Sequence, residues 1–183
     1  MKLIKQIAVS VLLIAGICCA VLYTSCSKNA CSGITCLYNA SCSGGVCTCP
    51  TGIGGTDCQT VYRLLYSGTY TGIGSRDTGS LGYADSATMV FSSPTDSVYT
   101  NMTVVITDSA HDLIGVSCFI TLSNFSSSGA NFTLQSSVTA DTTTIIAGTG
   151  SISATSASLN LTTRDKTDTL YHTISYNNFN REP

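Results

Sequence analysis

From Val61 to the C-terminus, apolar positions alternate with polar ones in one short run after another. Ile114, Val116, Cys118, Ile120 and Leu122 fall on one side of a stretch whose other side carries Gly115, Ser117, Phe119, Thr121 and Ser123. A period of two sustained over about ten residues predicts a half-buried β-strand. Met102, Val104 and Ile106 repeat the pattern, as do Phe132 with Leu134, Ala157 with Leu159 and Leu161, and Leu170 with His172, Ile174 and Tyr176. Further strands are predicted over Tyr62–Thr71, Leu81–Phe91 and Thr143–Ala147. Turn-forming clusters separate them at Gly72–Gly79, Ser92–Asp96, Asp108–Asp112, Asn124–Gly129 and Gly148–Ser153. No capped run with a 3.6-residue apolar period interrupts this order. Residues 61–183 are therefore expected to form a mainly β domain, an antiparallel β-barrel or sandwich of about eight strands.

Upstream the pattern changes twice. Lys2 and Lys5 precede a predominantly apolar run of sixteen residues, Ile7 to Leu22. That is shorter than the ~20 residues of a membrane span, so residues 1–25 read as a signal peptide. The small residues Thr24 and Ser25 directly before Cys26 resemble a bacterial lipoprotein cleavage site, with Tyr23 standing where leucine is usual. The resemblance implies lipidation of Cys26: diacylglycerol on its sulfur and an acyl chain such as palmitate on the new amino terminus. Each buried methylene contributes ~0.8 kcal/mol to membrane attachment. Residues 26–30 would then be a lipidated tether, and the protein an extracytoplasmic one at the bacterial outer membrane or cell surface. The alternative is an ordinary secretory peptide or an uncleaved anchor, with Cys26 a stray thiol.

Residues 31–58 hold six of the ten cysteines and few large apolar side chains: Ile34, Leu37, Tyr38, Val46 and Ile53. So short a segment buries too little to fold unaided, and chains below ~40 residues normally need staples. Disulfides, at ~2–4 kcal/mol each, can replace the missing core and place the chain in an oxidising compartment. Zinc is the rival explanation, but neither paired Cys-x2-4-Cys spacings nor a nearby histidine is present. The spacing Cys31-x4-Cys36-x5-Cys42-x4-Cys47-x-Cys49-x8-Cys58, with Cys49-Pro-x-Gly52-x-x-Gly55 near its end, resembles the epidermal growth factor (EGF) module. Six cysteines allow fifteen connectivities; the resemblance implies Cys31–Cys42, Cys36–Cys47 and Cys49–Cys58. Ser27, Lys28, Asn29 and Ala30 occupy the approach where calcium-binding EGF modules carry acidic residues, so no calcium is expected. A lone module of this kind is expected to serve as a spacer.

Gly68-Thr69-Tyr70, followed by a string of predicted hairpins, looks like the opening of the small lipocalin-like (calycin) β domains of bacterial lipoproteins, although the chain has no tryptophan. The resemblance would cover 61–183 and implies either a packed barrel or one holding a small apolar ligand.

Charge and side-chain chemistry narrow the function. Lys and Arg number 8 against 10 for Asp and Glu, and no basic stripe or stacking run invites nucleic acid. His111, in a predicted turn, is expected to be solvated. His172, on a face with Ile174, is expected to be hydrogen-bonded in or near the core. Neither sits in a metal or triad motif, and no phosphate loop or Gly-x-Ser-x-Gly elbow is present. No catalytic residue, metal site or cofactor is expected. Cys118, without a second cysteine in its domain, is expected to be a buried free thiol.

Sequons occur at Asn39, Asn101, Asn124, Asn131 and Asn160. Asp-Ser/Thr-x sequences resembling a bacterial O-glycosylation motif begin at Asp85, Asp96, Asp108, Asp141 and Asp168. The expectation is a non-enzymatic, membrane-anchored lipoprotein presenting a β domain for binding or surface architecture, its partner a protein, a glycan or a small apolar ligand. A lipocalin-like carrier is the first alternative and a hydrolase the second.

Overall fold

A computed structural model describes residues 30–76, 84–135, 137–140, 142–166 and 170–183, with the backbone alone for 84 and 85. The signal peptide expected over 1–25, the expected lipidation site Cys26 and the rest of the expected tether up to residue 29 lie outside the described residues. The rest divides into two compact units: residues up to Pro50 with Gly55–Gln59, and Thr51–Gly54 with Thr60–Pro183.

In the first unit, covalent bonds stand in for a core. Cys31–Cys42, Cys36–Cys47 and Cys49–Cys58 are joined. A hairpin of β1 (Ser41–Ser43) and β2 (Val46–Thr48) turns at Gly44-Gly45 and sets Cys42 opposite Cys47. Leu37, Tyr38 and Val46 remain exposed, while Cys58 is buried. Sulfur, not hydrocarbon, fills this interior.

The second unit is a closed barrel. A two-stranded ribbon, β3 (Ile53–Gly54) with β4 (Thr60–Val61), leads into the short helix α1 (Tyr62–Tyr66). There follow β5 (Gly68–Arg76), β6 (Ala84–Ser92), β7 (Asn101–Asp108), β8 (Leu113–Ser126), β9 (Gly129–Leu134), the two-residue β10 (Val138–Thr139), β11 (Thr143–Ile152), β12 (Ser156–Asp165) and β13 (Tyr171–Arg181). From β5 to β9 and again from β10 to β13 consecutive strands pair antiparallel, β13 returns to β5, and β9 meets β11 at Phe132↔Gly150. Eight strands thus form an up-and-down barrel, with β10 lying along the lower half of β11 at Val138↔Ile145. Closure removes the exposed sheet edges that an open sandwich of these strands would carry.

An eight-stranded barrel is just wide enough for its own side chains to fill, and here they do. Tyr70 meets Phe91 edge to face at 5.3 Å, Phe91 meets Phe132 at 5.6 Å, and Tyr176 meets Phe179 at 5.6 Å. Met89, Met102, Val104, Ile106, Cys118, Ile120, Leu159 and Leu161 complete a core with no exposure to solvent. α1 is tied to the end of the barrel where β5 begins. There Tyr66 Oη donates to Ser126 O at 2.5 Å and Tyr70 Oη to Tyr66 O at 2.9 Å.

Several expected boundaries shift. The strand expected over Tyr62–Thr71 begins only at Gly68. Before it, Arg63 and Tyr66, three residues apart, bury one face of a helical turn and leave Leu64 and Leu65 outside. The Gly-rich stretch expected as a turn at Gly72–Gly79 is strand as far as Arg76, and Gly148–Ser153 is strand up to Ile152. Ile114 faces solvent, 71 % exposed, with Leu113 inside in its place. Gly115, at φ +64°, forms a bulge in which two residues of β8 oppose Thr107, and the alternation slips there by one.

Candidate functional site

The apolar core gives way to polar side chains at the end of the barrel away from α1. Asp108 closes β7 with no exposure to solvent. One of its oxygens, Oδ1, accepts from Ala110 N at 3.1 Å, which starts a 3-10 turn over Ser109–His111. The other, Oδ2, lies 2.6 Å from His111 Nδ1 and accepts from Tyr176 Oη at 2.9 Å. His111 is itself buried, and its Nε2 has no hydrogen-bond partner among the described residues. Its expected place in a solvated turn is therefore corrected: Asp108, buried by the strand alternation that also buries Met102, Val104 and Ile106, draws the imidazole inward as its partner.

Gly74 on β5 makes room for this network. A Cβ there would lie 2.8 Å from Asp108 Oδ2 and 2.6 Å from Tyr176 Cε1. Burial, with the Asp108 carboxyl alongside, pushes the Tyr176 phenol far above its ordinary range, so it keeps its proton.

A second cluster lies at the same ends of β5, β11, β12 and β13. Arg76 Nη2 meets Asp165 Oδ2 at 2.5 Å, Thr143 Oγ1 donates to Asp165 Oδ1 at 3.1 Å, and His172 Nε2 stands 3.7 Å from Asp165 Oδ2. His172 is half-buried beside the buried Ile174. These groups suit ion pairing and orientation. Covalent hydrolysis uses a hydroxyl or thiol nucleophile within hydrogen-bond reach of a base; the hydroxyl held by Asp108 is a sealed phenol, and the one held by Asp165 belongs to the buried Thr143. Cys118 is a buried free thiol whose pKa is pushed by burial from 9.0 up to about 11. Among the described residues, no three His, Cys, Asp or Glu stand together as a metal site.

The opposite end carries a surface pocket of about 260 Å³ where β8 turns into β9 and β11 turns into β12. Two of its serines are occupied by the turns themselves. Ser126 Oγ accepts from the amides of Ser128 and Gly129, and Ser153 Oγ from those of Thr155 and Ser156. The exposed side chains of Asn124 and Asn131 line the remainder, with Ser151. Both asparagines begin sequons, as do the exposed Asn39 and Asn160 and the half-buried Asn101. The lining carries no charge, so the pocket can recognise only by hydrogen bonding and shape. Of the O-glycosylation-like sequences, the one at Asp96 places Ser97 in the open, and the one at Asp108 spends its acid in the network above.

Among the described residues no helix is long and apolar enough to cross a membrane. No protein-family model matches the chain and no curated protein matches its sequence. Among solved structures it is similar to a Bacteroides fragilis protein described as a "putative outer membrane protein", at 13% identity and a TM-score of 0.43. The likeness covers 67% of this chain and 52% of that one, so the chain matches about half of that protein's length.

Proposed function

We propose that this protein is a non-enzymatic, membrane-anchored lipoprotein on the extracytoplasmic side. Lipid sits on Cys26, the EGF-like module at 31–58 is a disulfide-braced spacer, and the barrel binds a ligand on its outer surface or ends. One observation carries the choice of surface binding over an internal carrier: the barrel axis is occupied by Tyr70, Phe91, Phe132, Tyr176 and Phe179, each no more than 1% exposed. A carrier of a drug-sized apolar molecule needs a cavity of ~300 Å³ or more, and these rings stand where it would be. The neutral pocket beside Asn124 and Asn131 favours a ligand rich in hydroxyls or amides, such as a glycan. The three disulfides support life outside the cytoplasm.

The discriminating experiment titrates the full chain with a fluorescent fatty acid and, in parallel, probes a glycan array. Surface binding predicts no saturable uptake of the fatty acid, together with array signals that fall in an Asn124→Ala, Asn131→Ala variant. Saturable fatty-acid binding would transfer the function to the carrier alternative. The anchor is tested separately by metabolic labelling with a tagged fatty acid, which should mark the wild type and leave Cys26→Ala unmarked.

A further inference from the structure

The pocket where β8 turns into β9 and β11 into β12 continues onto the outer wall as a grid of neutral polar side chains. Asn131 of β9 pairs with Ser151 of β11, and Ser151 with Ser158 of β12; one step further along, Thr133 pairs with Thr149 and Thr149 with Asn160. Neighbours within a row stand ~5 Å apart, and the rows ~7 Å apart along the strands. Asn131 and Ser151 belong to the grid and to the pocket lining alike. Ser158 is half-buried and the other five residues are exposed. Beneath them Phe132, Ile152 and Leu159 fill the core, none more than 2% exposed, and β11 is held between β9 and β12.

The hydrogen-bonding capacity of the grid is largely unspent. Ser151 and Ser158 Oγ share a bond at 2.9 Å, whereas the side chains of Asn131, Thr133, Thr149 and Asn160 have no partner among the described residues. Amides and hydroxyls both donate and accept. A solvated wall ordinarily intersperses charges, at roughly a quarter to a third of its surface. Along β9, β11 and β12 the only charged residues are Arg164 and Asp165, at the far end of β12. The grid thus offers no cation to a nucleic acid or an anionic membrane. It also has none of the Trp, Tyr or Arg anchors that dominate protein interfaces.

We propose that a linear, uncharged oligosaccharide seats one end in the pocket and runs along the wall over this grid, successive rings hydrogen-bonding first to Asn131 and Ser151 and then to Thr149 and Asn160. A sugar ring carries hydroxyls on both edges, so one ring bridges side chains of neighbouring strands. The chain is uncharged because a carboxylate or sulfate laid here would give up water with no cation to replace it. It is linear because the second row continues the line from the pocket along the strands. Paired strands over a packed core fix these side chains in register before the ligand arrives, so binding orders little of the protein. The inference rests on the glycan reading given above and deepens it, from a pocket that takes one sugar to a strip that takes a chain.

The test titrates the full chain with end-labelled oligomers of glucose, mannose, galactose and N-acetylglucosamine, from the single sugar to the hexamer, read by fluorescence anisotropy. In at least one series affinity should rise roughly tenfold from the single sugar to the trimer and then level off. Thr149→Val combined with Asn160→Ala, both outside the pocket, should cancel that rise and leave the single sugar's affinity unchanged, with the near-ultraviolet circular dichroism of the wild type. Asn124→Ala, in the pocket, should weaken every member of the series. In NMR spectra the side-chain amide of Asn160 should shift with the trimer, and that of Asn39, in the first unit, should not. An affinity independent of length, or a rise that survives the double variant, would confine recognition to the pocket and overturn this inference alone. Tighter binding of a carboxylated or sulfated form of the same oligomer would also overturn it. If no series binds up to about 10 mM, it falls together with the glycan reading.

Discussion

Replacing Asp108 with alanine strips three donors of one acceptor at once: the amide of Ala110, the imidazole of His111 and the phenol of Tyr176, at 3.1, 2.6 and 2.9 Å. A buried donor left without a partner costs about 1–3 kcal/mol. The carboxyl has no exposure and the His111 side chain only 2 %, so water cannot take over without opening that end of the barrel. Allowing for partial relaxation, Asp108→Ala should cost ~4 kcal/mol, whereas Tyr176→Phe, which removes one donor and nothing else, should cost ~1 kcal/mol. The two should not add. Once Asp108 is gone the phenol has already lost its partner, so Tyr176→Phe in that background should cost less than alone, with a coupling of roughly 1–2 kcal/mol. Urea unfolding of the full chain with its disulfides intact, followed by near-ultraviolet circular dichroism, supplies all four corners of the cycle. A loss below ~1 kcal/mol for Asp108→Ala, or strict additivity with Tyr176→Phe, would refute the claim that this network holds the polar end of the barrel.

Other expectations follow from the same geometry. Gly74→Val should destabilise about as much as Asp108→Ala, because its side chain would occupy the space of the carboxyl and the Tyr176 ring; the same urea assay checks it. Arg63, 5% exposed, donates to Asp96 Oδ1, Asp96 O and Val98 O at 2.7 Å each and lies over Tyr99. Arg63→Lys should therefore lose ~2 kcal/mol, despite keeping the charge, because the fork cannot be reproduced. Cys118 should resist a thiol reagent at pH 8 until the barrel unfolds. Its raised pKa means that its contribution is complete below pH 9 and is lost as pH climbs toward 11, since the unfolded thiol ionises first. Stability measured across that window should fall by ~2 kcal/mol more in wild type than in Cys118→Ser.

Much of this fold is legible in the sequence because a strand with one buried face writes its register as a period of two. The inward rows of β7 and β12, Met102-Val104-Ile106 and Ala157-Leu159-Leu161, can be read directly, and the cysteine density of 31–58 announces cross-links in place of a core. Barrel closure is less visible, since the β9–β11 pairing that converts a sheet into a barrel depends on backbone geometry and not on any local signal. Ile114 misleads because one bulge at Gly115 shifts the phase. The site at Asp108 is the hardest to see. His111 lies three residues on and hints at a local pair, but Tyr176 is 68 residues away and is brought over by the β13–β5 register.

The proposed function requires the chain to leave the cytoplasm, form its cross-links outside it and stay tied to a membrane. Peptide mapping by mass spectrometry of the protein recovered from its own host's membranes tests this most directly. The predicted result is an amino-terminal peptide beginning at Cys26 and heavier by its acyl chains, with Cys31–Cys42, Cys36–Cys47 and Cys49–Cys58 linked and Cys118 free. An unmodified Cys26 within an intact leader, or reduced cysteines between 31 and 58, would contradict it.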